Sequence, residues 1–291
     1  MTDAIQKRSL WMDAYRRIRK DRIALFCLGI VFTYSCIAIF AKLNFIATPW
    51  DKVVGSSYQA PQWGWGGPLE LILGTDIFGR SVFYKVLQGT RIAMSVGLVS
   101  SLISTPIGVF FGALAGYFGG WVDDAVVWLY TTLSSIPNIM LLIAIAFVLG
   151  KGLTSIYVAL GITAWVSLAR VIRGEFIKHK SRDYVVAAES LGASHFSRIF
   201  KHILPNVSHF VIINLSIQFV SAIKAEVILS FLGLGLQGQP SWGVMIDDAK
   251  LELSRGVWWQ LFGATTGMFF IILAFNILGD SLRDALDPKI K

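Results

Sequence analysis

The sequence holds few side chains with the types and spacing that catalysis or metal binding needs. The motif GxxxxGK[ST], whose backbone amides bind nucleotide phosphates, does not occur, and neither do GxSxG and HExxH. His195, His202 and His209 are spaced by seven residues, and each step is about 10 Å along a helix, too far for one zinc ion. We therefore expect no catalytic residue, no metal site and no cofactor site in this chain.

Lys224 and Glu226 are charged side chains in an otherwise apolar stretch, 207–229. Charged groups in membrane helices are costly and normally face the bundle interior, a cavity or the interface. Positions i and i+2 of a helix point about 200° apart, so these two should not pair with each other. We expect each to pair with a neighbour in the bundle or to lie near the outer interface.

The elements that position these side chains must be membrane helices, because the composition is too apolar for a soluble domain. Hydrophobic residues make up 55% of the chain, charged residues 15%, and the mean hydropathy is +0.63. Six apolar stretches approach the length of about 20 residues that a bilayer core requires: 23–41, 92–115, 122–149, 156–172, 207–229 and 257–278. The sequence predicts an all-α polytopic membrane protein with six transmembrane helices. The first stretch also resembles a signal peptide, but it is long and lacks a following cleavage site, so an uncleaved helix is expected.

Positive charge is concentrated in three segments of the chain. Of the 26 Lys and Arg residues, 17 lie in 1–22, in 170–206 and in 281–291. With six spans these segments share one side, which the positive-inside rule makes cytoplasmic. Both termini are therefore expected in the cytoplasm of a cell whose inner membrane holds the protein. The net charge of +8 is explained better by this topology than by nucleic-acid binding.

The expected organisation follows from the spans and the charges. It comprises a basic segment 1–22, a first helix 23–41, an external loop 42–91, a five-helix core 92–280 containing the cytoplasmic loop 173–206, and a tail 281–291. Trp11, Tyr15 and Ile18 share one helical face of the basic segment. That face suits an interfacial helix on membrane lipid, and a plain basic flank that sets topology is the alternative.

The polar stretch 184–206 lies between two apolar runs and carries two apolar stripes of its own. The stripes have helical spacing on either side of Gly192: Tyr184, Ala187, Ala188 and Leu191 before it, then Phe196, Ile199, Phe200 and Ile203. The spacing predicts two short amphipathic helices with Gly192 as the hinge. Such a hairpin, held out of the membrane, needs a surface to bury its stripes, and a partner protein is the expected surface.

Two further patterns concern helix packing and a path across the membrane. Glycine recurs every fourth residue in the second span, which predicts a groove for a neighbouring helix: Gly108, Gly112, Gly116 and Gly120. Pro137 lies inside the third span, where it removes a backbone hydrogen bond and should kink the helix. Kinked helices often border a path, so Pro137 joins Glu226 and Ser230 as candidates for gating or translocation.

The polar stretch resembles the cytoplasmic coupling loop of permease subunits of ABC importers, with Ala187, Ala188, Gly192, Leu204 and Pro205 at the matching positions. Val186 stands where that family usually has glutamate. Other runs resemble the dipeptide, oligopeptide and nickel branch of the family: LGTDxxGR at 73–80, ExxLSFLGLG at 226–235 and NxxGDxLRDALDP at 276–288. Together these motifs span most of the chain.

The resemblance implies a type I importer fold and three kinds of partner. These are a homologous second permease, forming a heterodimer, two cytoplasmic ATPase subunits that bind ATP and Mg, and an extracytoplasmic solute-binding protein. Membrane lipid is a further expected partner, on the composition of the chain. The chain itself would be a passive subunit and not an enzyme. Dipeptides or oligopeptides are the expected substrates, with nickel, glutathione or another peptide-like solute as the alternative.

The same resemblance implies that the loop couples the permease to the ATPases. The expected coupling residues are Tyr184, Ala187, Ala188, Glu189, Leu191, Gly192, Phe196, Arg198 and Pro205. Ala187 and Ala188 would allow close approach of the partner, and Arg198 and Lys201 would lie at the rim of the contact. The alternative is that the stripes pack on the protein's own spans.

Two other functions compete with this interpretation. A self-sufficient secondary transporter would use Lys224 and Glu226 for ion coupling, but the sequence shows no convincing internal repeat. A membrane enzyme would need a nucleophile or a metal cluster in the membrane, and the sequence offers neither.

The predicted topology can be tested by cysteine labelling in intact cells. A cysteine at Trp63 should react with an impermeant maleimide added from outside, and one at Ser194 should be protected, because the two positions are expected on opposite sides of the membrane. Labelling of the Ser194→Cys variant in intact cells would contradict this topology.

Overall fold

The computed structural model describes residues 16–62 and 68–286. The expectations for Trp11, Tyr15 and Trp63, and for the last two residues of the 276–288 motif, lie outside the described residues. Within the described ranges the regular secondary structure is helical apart from two isolated antiparallel bridges, Val53 with Arg80 and Thr75 with Ser81.

The helices are numbered here in chain order. They are α1 Arg22–Lys42, α2 Val82–Phe118, α3 Gly120–Ser134, α4 Asn138–Leu149, α5 Leu153–Thr163, α6 Trp165–Lys180, α7 Asp183–Ser190, α8 His195–Ser197, α9 Leu204–Phe231, α10 Trp242–Leu253 and α11 Trp259–Leu286. A short 3₁₀ helix, Leu69–Leu71, precedes α2, and a π-helical segment, Arg198–Ile203, joins α8 to α9.

The six predicted spans are present, one of them in two pieces. Five helices are long and apolar enough to cross a membrane: α1, α2, α11, and the combined helices Leu153–Lys180 and His195–Phe231. The sixth span is the pair α3 and α4, which meet at a bend of 85°. The predicted kink at Pro137 is therefore a complete break, because Pro137 caps α4 and can donate no backbone hydrogen bond to α3.

Helix α2 is longer than its apolar stretch suggested. It begins at Val82, ten residues before the predicted start at residue 92, and it runs for 37 residues. The Ser81 hydroxyl accepts a hydrogen bond from the backbone N–H of Tyr84 and caps the helix. At about 1.5 Å per residue, the helix exceeds the bilayer core, so one end projects beyond it. The sequence missed this end because Lys85, Gln88, Thr90 and Arg91 interrupt its apolar residues.

Helix α2 packs closely against α6 through three of the four predicted glycines. A Cβ atom at Gly108 would lie 2.9 Å from the carbonyl oxygen of Trp165, one at Gly112 would lie 2.6 Å from that of Ala169, and one at Gly116 would lie 2.5 Å from that of Arg173. No side chain fits at such distances, so the backbones touch. Gly120 does not belong to this groove: it starts α3, has a φ of +53°, and has nothing within 4 Å.

The loop before α2 is held by one buried carboxylate. Asp76 Oδ1 accepts hydrogen bonds from the backbone N–H groups of Phe78 and Arg80 at 2.8 and 2.9 Å. Its Oδ2 accepts from Arg80 Nε at 2.9 Å and from Lys85 Nζ at 3.2 Å. Burial raises the pKa of Asp76, but the Lys85 ammonium and the Arg80 backbone N–H outweigh burial, so the pKa lies below its ordinary value. The 73–80 motif thus packs the loop onto the helices.

Trp242, at the start of α10, fills the core at this same end of the bundle. Its ring lies within 3.4 Å of the Cβ positions of Gly89 and Gly267, and its Nε1 donates a hydrogen bond to the backbone oxygen of Val86 at 3.2 Å. Three helices, α2, α10 and α11, therefore meet around one indole. Trp242 is almost fully buried.

The first and last described residues meet at the opposite end of the bundle. Ile18 packs against Ala285 and Leu286 at the end of α11. The Ser281 hydroxyl donates a hydrogen bond to Asp21 Oδ2 at 3.2 Å. This end is also the one from which α7 and α8 project.

The glycine contacts predict that alanine destabilises the protein at a packed glycine and is tolerated at an open one. Gly112→Ala should lower the apparent melting temperature of the purified protein, because overpacking a tight contact typically costs about 1 to 3 kcal/mol. Gly29→Ala is the matched control, since Gly29 is also helical but a Cβ there meets nothing within 4 Å. That control should be neutral or slightly stabilising. Equal melting temperatures for both variants in thermal scans would contradict the packing described here.

Candidate functional site

The chain leaves α6 and forms a hairpin whose turn is a glycine cap. The backbone N–H of Ala193 donates to the oxygen of Ala188 at 2.9 Å, and that of Gly192 donates to the oxygen of Glu189 at 2.8 Å. This bonding pattern requires a left-handed residue after the helix, and Gly192 has a φ of +81°. The predicted hinge is thus a fixed cap that ends α7.

The second limb of the hairpin is not the separate short helix that the stripe predicted. Ser194 caps α8, which passes through the π-helical segment directly into α9. The combined helix His195–Phe231 has 37 residues. Pro205 does not end it, because it lies in the first turn of α9, where a missing N–H is tolerated and the preceding turn is wider.

The two apolar stripes are divided between the protein's own helices and its surface. Ile199 and Ile203 of the second stripe, with Val185 beside the first, are buried with Leu168, Ile172 and Phe176 of α6, and Ala188 is also buried. Five large side chains face outward and are called here the hairpin patch: Tyr184, Val186, Leu191, Phe196 and Phe200. Leu191 is 89% exposed and Phe196 is 68% exposed. Of the two predicted alanines, Ala188 is buried and Ala187 is exposed.

Arg198 is buried between the limbs and does not lie at the rim, as the sequence suggested. Its residue exposure is 8%. Its guanidinium forms an ion pair with Glu189 and hydrogen-bonds His195 Nδ1 at 2.9 Å. The hydroxyl of Tyr117, at the end of α2, also lies 2.8 Å from His195 Nδ1. The register was misjudged because the sequence could not show that Glu189 and Tyr117 would face this arginine.

An ion pair holds α6 where it approaches the hairpin. Arg173 Nε lies 2.5 Å from Asp123 Oδ1, and its Nη2 lies 2.6 Å from Asp123 Oδ2. A bidentate pair of this kind fixes orientation as well as distance. Helices α3 and α6 are thus tied together about two turns before the end of α6.

A cavity of about 410 Å³ lies between α2, α4, α6 and α9. Its polar lining includes Ser100, Ser101, Ser104, Arg170 and Gln218, and Pro137 lies on its wall. These positions fall in the middle of their respective spans, so the cavity is at mid-height of the bundle. Ser134, Ser167 and Ser221 also line it and are exposed, so the cavity opens on the surface of the subunit.

Glu226 and Ser230, which the sequence offered as path candidates, do not line this cavity. Glu226 is fully buried, and its Oε1 accepts a hydrogen bond from the Ser230 hydroxyl at 2.7 Å. Gly235 and Gly243 pack on Ser230, because the chain after α9 folds back over it. The pair therefore supports the turn between α9 and α10.

Lys224 is exposed on α9, and within the described ranges it forms no ion pair. It does not pair with Glu226, as the 200° separation predicted. Of the two expected surroundings, an ionic partner in the bundle is not found among residues 16–62 and 68–286. Lys224 lies seven residues before the end of α9, on a face that neighbouring protein or lipid would meet.

Sequence reasoning missed the polar lining of the cavity. Its signal was present, since Ser100, Ser101 and Ser104 recur at helical spacing in an apolar span, as do Asn214 and Gln218. In the structure, Gln218 Oε1 accepts from the Ser104 hydroxyl at 2.7 Å and Gln218 Nε2 donates to Asn214 Oδ1 at 3.0 Å. Polar residues inside membrane spans are therefore candidates for a functional site, as charged residues are.

The Arg198 contacts predict how firmly α7 is held. Arg198→Ala should speed amide hydrogen exchange in α7 by about threefold to tenfold, the range for losing a partly screened ion pair and a hydrogen bond. Lys201→Ala is the control, since it removes an exposed cation from the same segment. Amide exchange is measured by mass spectrometry on the purified protein. If α7 exchanges in both variants at the rate of the unmodified chain, the prediction is wrong.

Comparison with known proteins places this geometry in a family. The family described as "Binding-protein-dependent transport system inner membrane component" matches residues 108–291, and "N-terminal TM domain of oligopeptide transport permease C" matches residues 9–61. Two solved structures share the fold at 17% identity. They are an amino acid ABC transporter, with a TM-score of 0.52 over 67% of this chain and 91% of that one, and the MetNI methionine ABC transporter, with 0.53 over 69% and 94%.

Several curated relatives match along nearly the whole chain. The dipeptide transport system permease protein DppC of Bacillus subtilis is 36% identical, with 99% of this chain and 89% of that protein covered. The oligopeptide transport system permease protein OppC of the same organism is 33% identical, with 97% and 91% covered. The glutathione transport system permease protein GsiD of Pectobacterium atrosepticum is 34% identical, with 98% and 93% covered. On the match of residues 108–291 and on these relatives, the chain belongs to the family of binding-protein-dependent transport system inner membrane components.

Proposed function

We propose that the protein is the permease subunit of an ATP-driven importer of dipeptides or oligopeptides, and that its hairpin receives the motion of cytoplasmic ATPase subunits. The observation that carries this proposal is the hairpin patch. Leu191 and Phe196 are exposed at 89% and 68% although the backbone beneath them is fixed by a glycine cap and an ion pair. An exposed apolar surface on a rigid support is typical of a docking site.

The hairpin is continuous in the chain with two membrane helices, so its motion would reach both. On one side it continues through Asp183 and Lys180 into α6, and on the other it continues through the π-helical segment into α9. Both helices line the central cavity, through Arg170 and Gln218 respectively. A displacement of the hairpin as a rigid body would therefore change the width of the cavity.

The chain depends on partners for its energy. It has no phosphate-binding motif, so ATP and Mg would be bound by two cytoplasmic ATPase subunits. Each large apolar side chain of the patch that enters a cleft of such a subunit would contribute roughly 1.5 to 3 kcal/mol to docking. Glu189 and Arg198 pair with each other, so they would stabilise the hairpin internally. Gly192 would set the angle between the two limbs of the hairpin.

The translocation path is proposed to run through the central cavity. The cavity opens on the subunit surface at Ser134, Ser167 and Ser221, so a second subunit is needed to close it. A homologous permease in a heterodimer, with a solute-binding protein at the end that carries α10, would complete the importer. In this arrangement both termini lie in the cytoplasm and the inner membrane surrounds the helices.

Two substrate classes are supported by the relatives. The dipeptide and oligopeptide permeases at 36% and 33% identity favour short peptides. Glutathione is the second candidate, because a glutathione permease is 34% identical over 98% of the chain. The competing secondary transporter loses its proposed ion-coupling pair, since Glu226 is bonded to Ser230 away from the cavity and Lys224 faces outward.

Charge on the hairpin patch should uncouple the importer. Leu191→Asp in the assembled complex should weaken association of the ATPase subunits by about tenfold to a hundredfold, since the burial of one leucine is worth roughly 1.5 to 3 kcal/mol. Leu251→Asp is the matched control: Leu251 is 75% exposed, but it lies on α10 at the other end of the bundle. Co-purification of the ATPases and peptide-stimulated ATP hydrolysis are the measurements.

The control should behave like the unmodified chain in ATPase co-purification. If Leu191→Asp retains ATPase subunits and import at the level of the unmodified complex, the hairpin patch is not the coupling surface. Uptake of a labelled dipeptide and of glutathione by the same proteoliposomes separates the two substrate classes.

A further inference from the structure

The central cavity contains one charged side chain, and it is a cation. Arg170 lines the cavity from α6, and none of the other lining residues is charged. Its Nη2 donates a hydrogen bond to the Ser134 hydroxyl at 2.9 Å, and its guanidinium lies 4.9 Å from the centre of the Tyr130 ring. These contacts hold the guanidinium without neutralising it. In the described ranges it forms no ion pair.

Two buried hydroxyls on the cavity wall have no hydrogen-bond partner. Ser100 and Ser101 are nearly fully buried, line the cavity from α2, and have unsatisfied Oγ atoms. Their neighbour Ser104 differs, because it donates to Gln218. Leaving a buried donor unsatisfied costs roughly 1 to 3 kcal/mol, so these hydroxyls favour a polar ligand in the cavity.

The break in the third span directs a helix N-terminus at the same space. Pro137 and Asn138 line the cavity at the start of the 12-residue helix α4. The cap residue is a proline and supplies no side-chain hydrogen bond, so no side chain caps the first backbone N–H groups of α4; that of Met140 donates to the Pro137 oxygen at 2.9 Å. The positive end of the helix dipole adds to the charge of Arg170 and attracts anions.

We propose that this cavity binds a peptide in transit, with Arg170 as the counter-ion of its carboxylate and the Ser100 and Ser101 hydroxyls, which lie farther along the cavity on α2, as donors to its other polar groups. The inference rests on the proposed function, because it takes the peptide as cargo. The absence of any acidic side chain among the lining residues disfavours a metal cation or an unpaired ammonium group. The volume of about 410 Å³ falls in the range of small-molecule sites and leaves room for a short peptide.

The arrangement also suits transient binding. A site on a transport path must attract the solute and then release it. Arg170 is on the exposed side of the cavity, where water weakens its attraction for a carboxylate. Its helix α6 leads into the hairpin, so a hairpin displacement would move the guanidinium away from the hydroxyls on α2.

The experiment uses the complete importer, with its partner permease and ATPases, in lipid nanodiscs without the solute-binding protein. Calorimetry measures the binding of three probes: dialanine, dialanine C-terminal amide and N-acetyl-dialanine. The unmodified complex should bind dialanine and its N-acetyl form alike and the amide about tenfold more weakly, the factor expected for one charge-assisted hydrogen bond.

Variants assign the preference to the cavity. Arg170→Gln should remove the discrimination between dialanine and its amide, Arg170→Lys should restore part of it, and Ser100→Ala with Ser101→Ala should weaken dialanine binding about threefold to tenfold. Lys178→Gln removes an exposed cation of the same helix outside the cavity and should change nothing. If Arg170→Gln fails to assemble, the lysine and double-serine variants decide.

Two results overturn the inference. One is equal binding, or no binding, of dialanine and its amide by the unmodified complex, and the other is unchanged discrimination in Arg170→Gln. A separate uptake assay with solute-binding protein and ATP tests the proposed function. If the unmodified complex imports peptide but the cavity variants bind as it does, only the carboxylate site fails. If the unmodified complex imports no peptide, both the proposed function and the carboxylate site fail.

Discussion

The backbone contact between α2 and α6 is the constraint on which the rest of the molecule depends. In a bilayer, apolar burial gives little reason for helices to associate, so close approach through small residues must do so. Gly108, Gly112 and Gly116 permit that approach along three turns of α2. The contact fixes how the serines of α2 and Arg170 of α6 line the cavity, and it also sets where α6 leaves the bundle to enter the hairpin. Both the cavity and the docking surface therefore follow from one helix pair.

Sequence reasoning recovered the elements whose signals are local. Apolar length gave the spans, and Gly192 marked the end of α7, because a left-handed residue is required there. It failed where the answer depended on which neighbour a face meets. The stripe of α7 has helical spacing, but only Ala188 of that stripe is buried, and the α7 residue that packs on α6 is its neighbour Val185. Periodicity reports that a face is apolar and does not report its partner.

The same limit explains the misplaced charges. Arg198 looked like a rim residue because its partner Glu189 is on the other limb and Tyr117 is 81 positions away. Glu226 looked like a path residue because a carboxylate in a span is costly. The turn that follows α9 folds back and supplies the environment that makes Glu226 structural. Arg170 is a basic residue near the end of a predicted span, so sequence reasoning used it only in the charge count that sets topology. The structure shows that it lines the cavity.

The continuity of the helix His195–Phe231 has a mechanical consequence. A stiff rod of 37 residues is about 55 Å long, so each degree of tilt about one end sweeps the other end by about 1 Å. The swept end carries the fold-back turn with Gly235 and the start of α10, which includes Trp242. A tilt of a few degrees at the hairpin would thus appear as several ångströms of travel on the far face of the protein. By reciprocity, a ligand that holds that far face in one position biases the tilt at the hairpin by the same free energy.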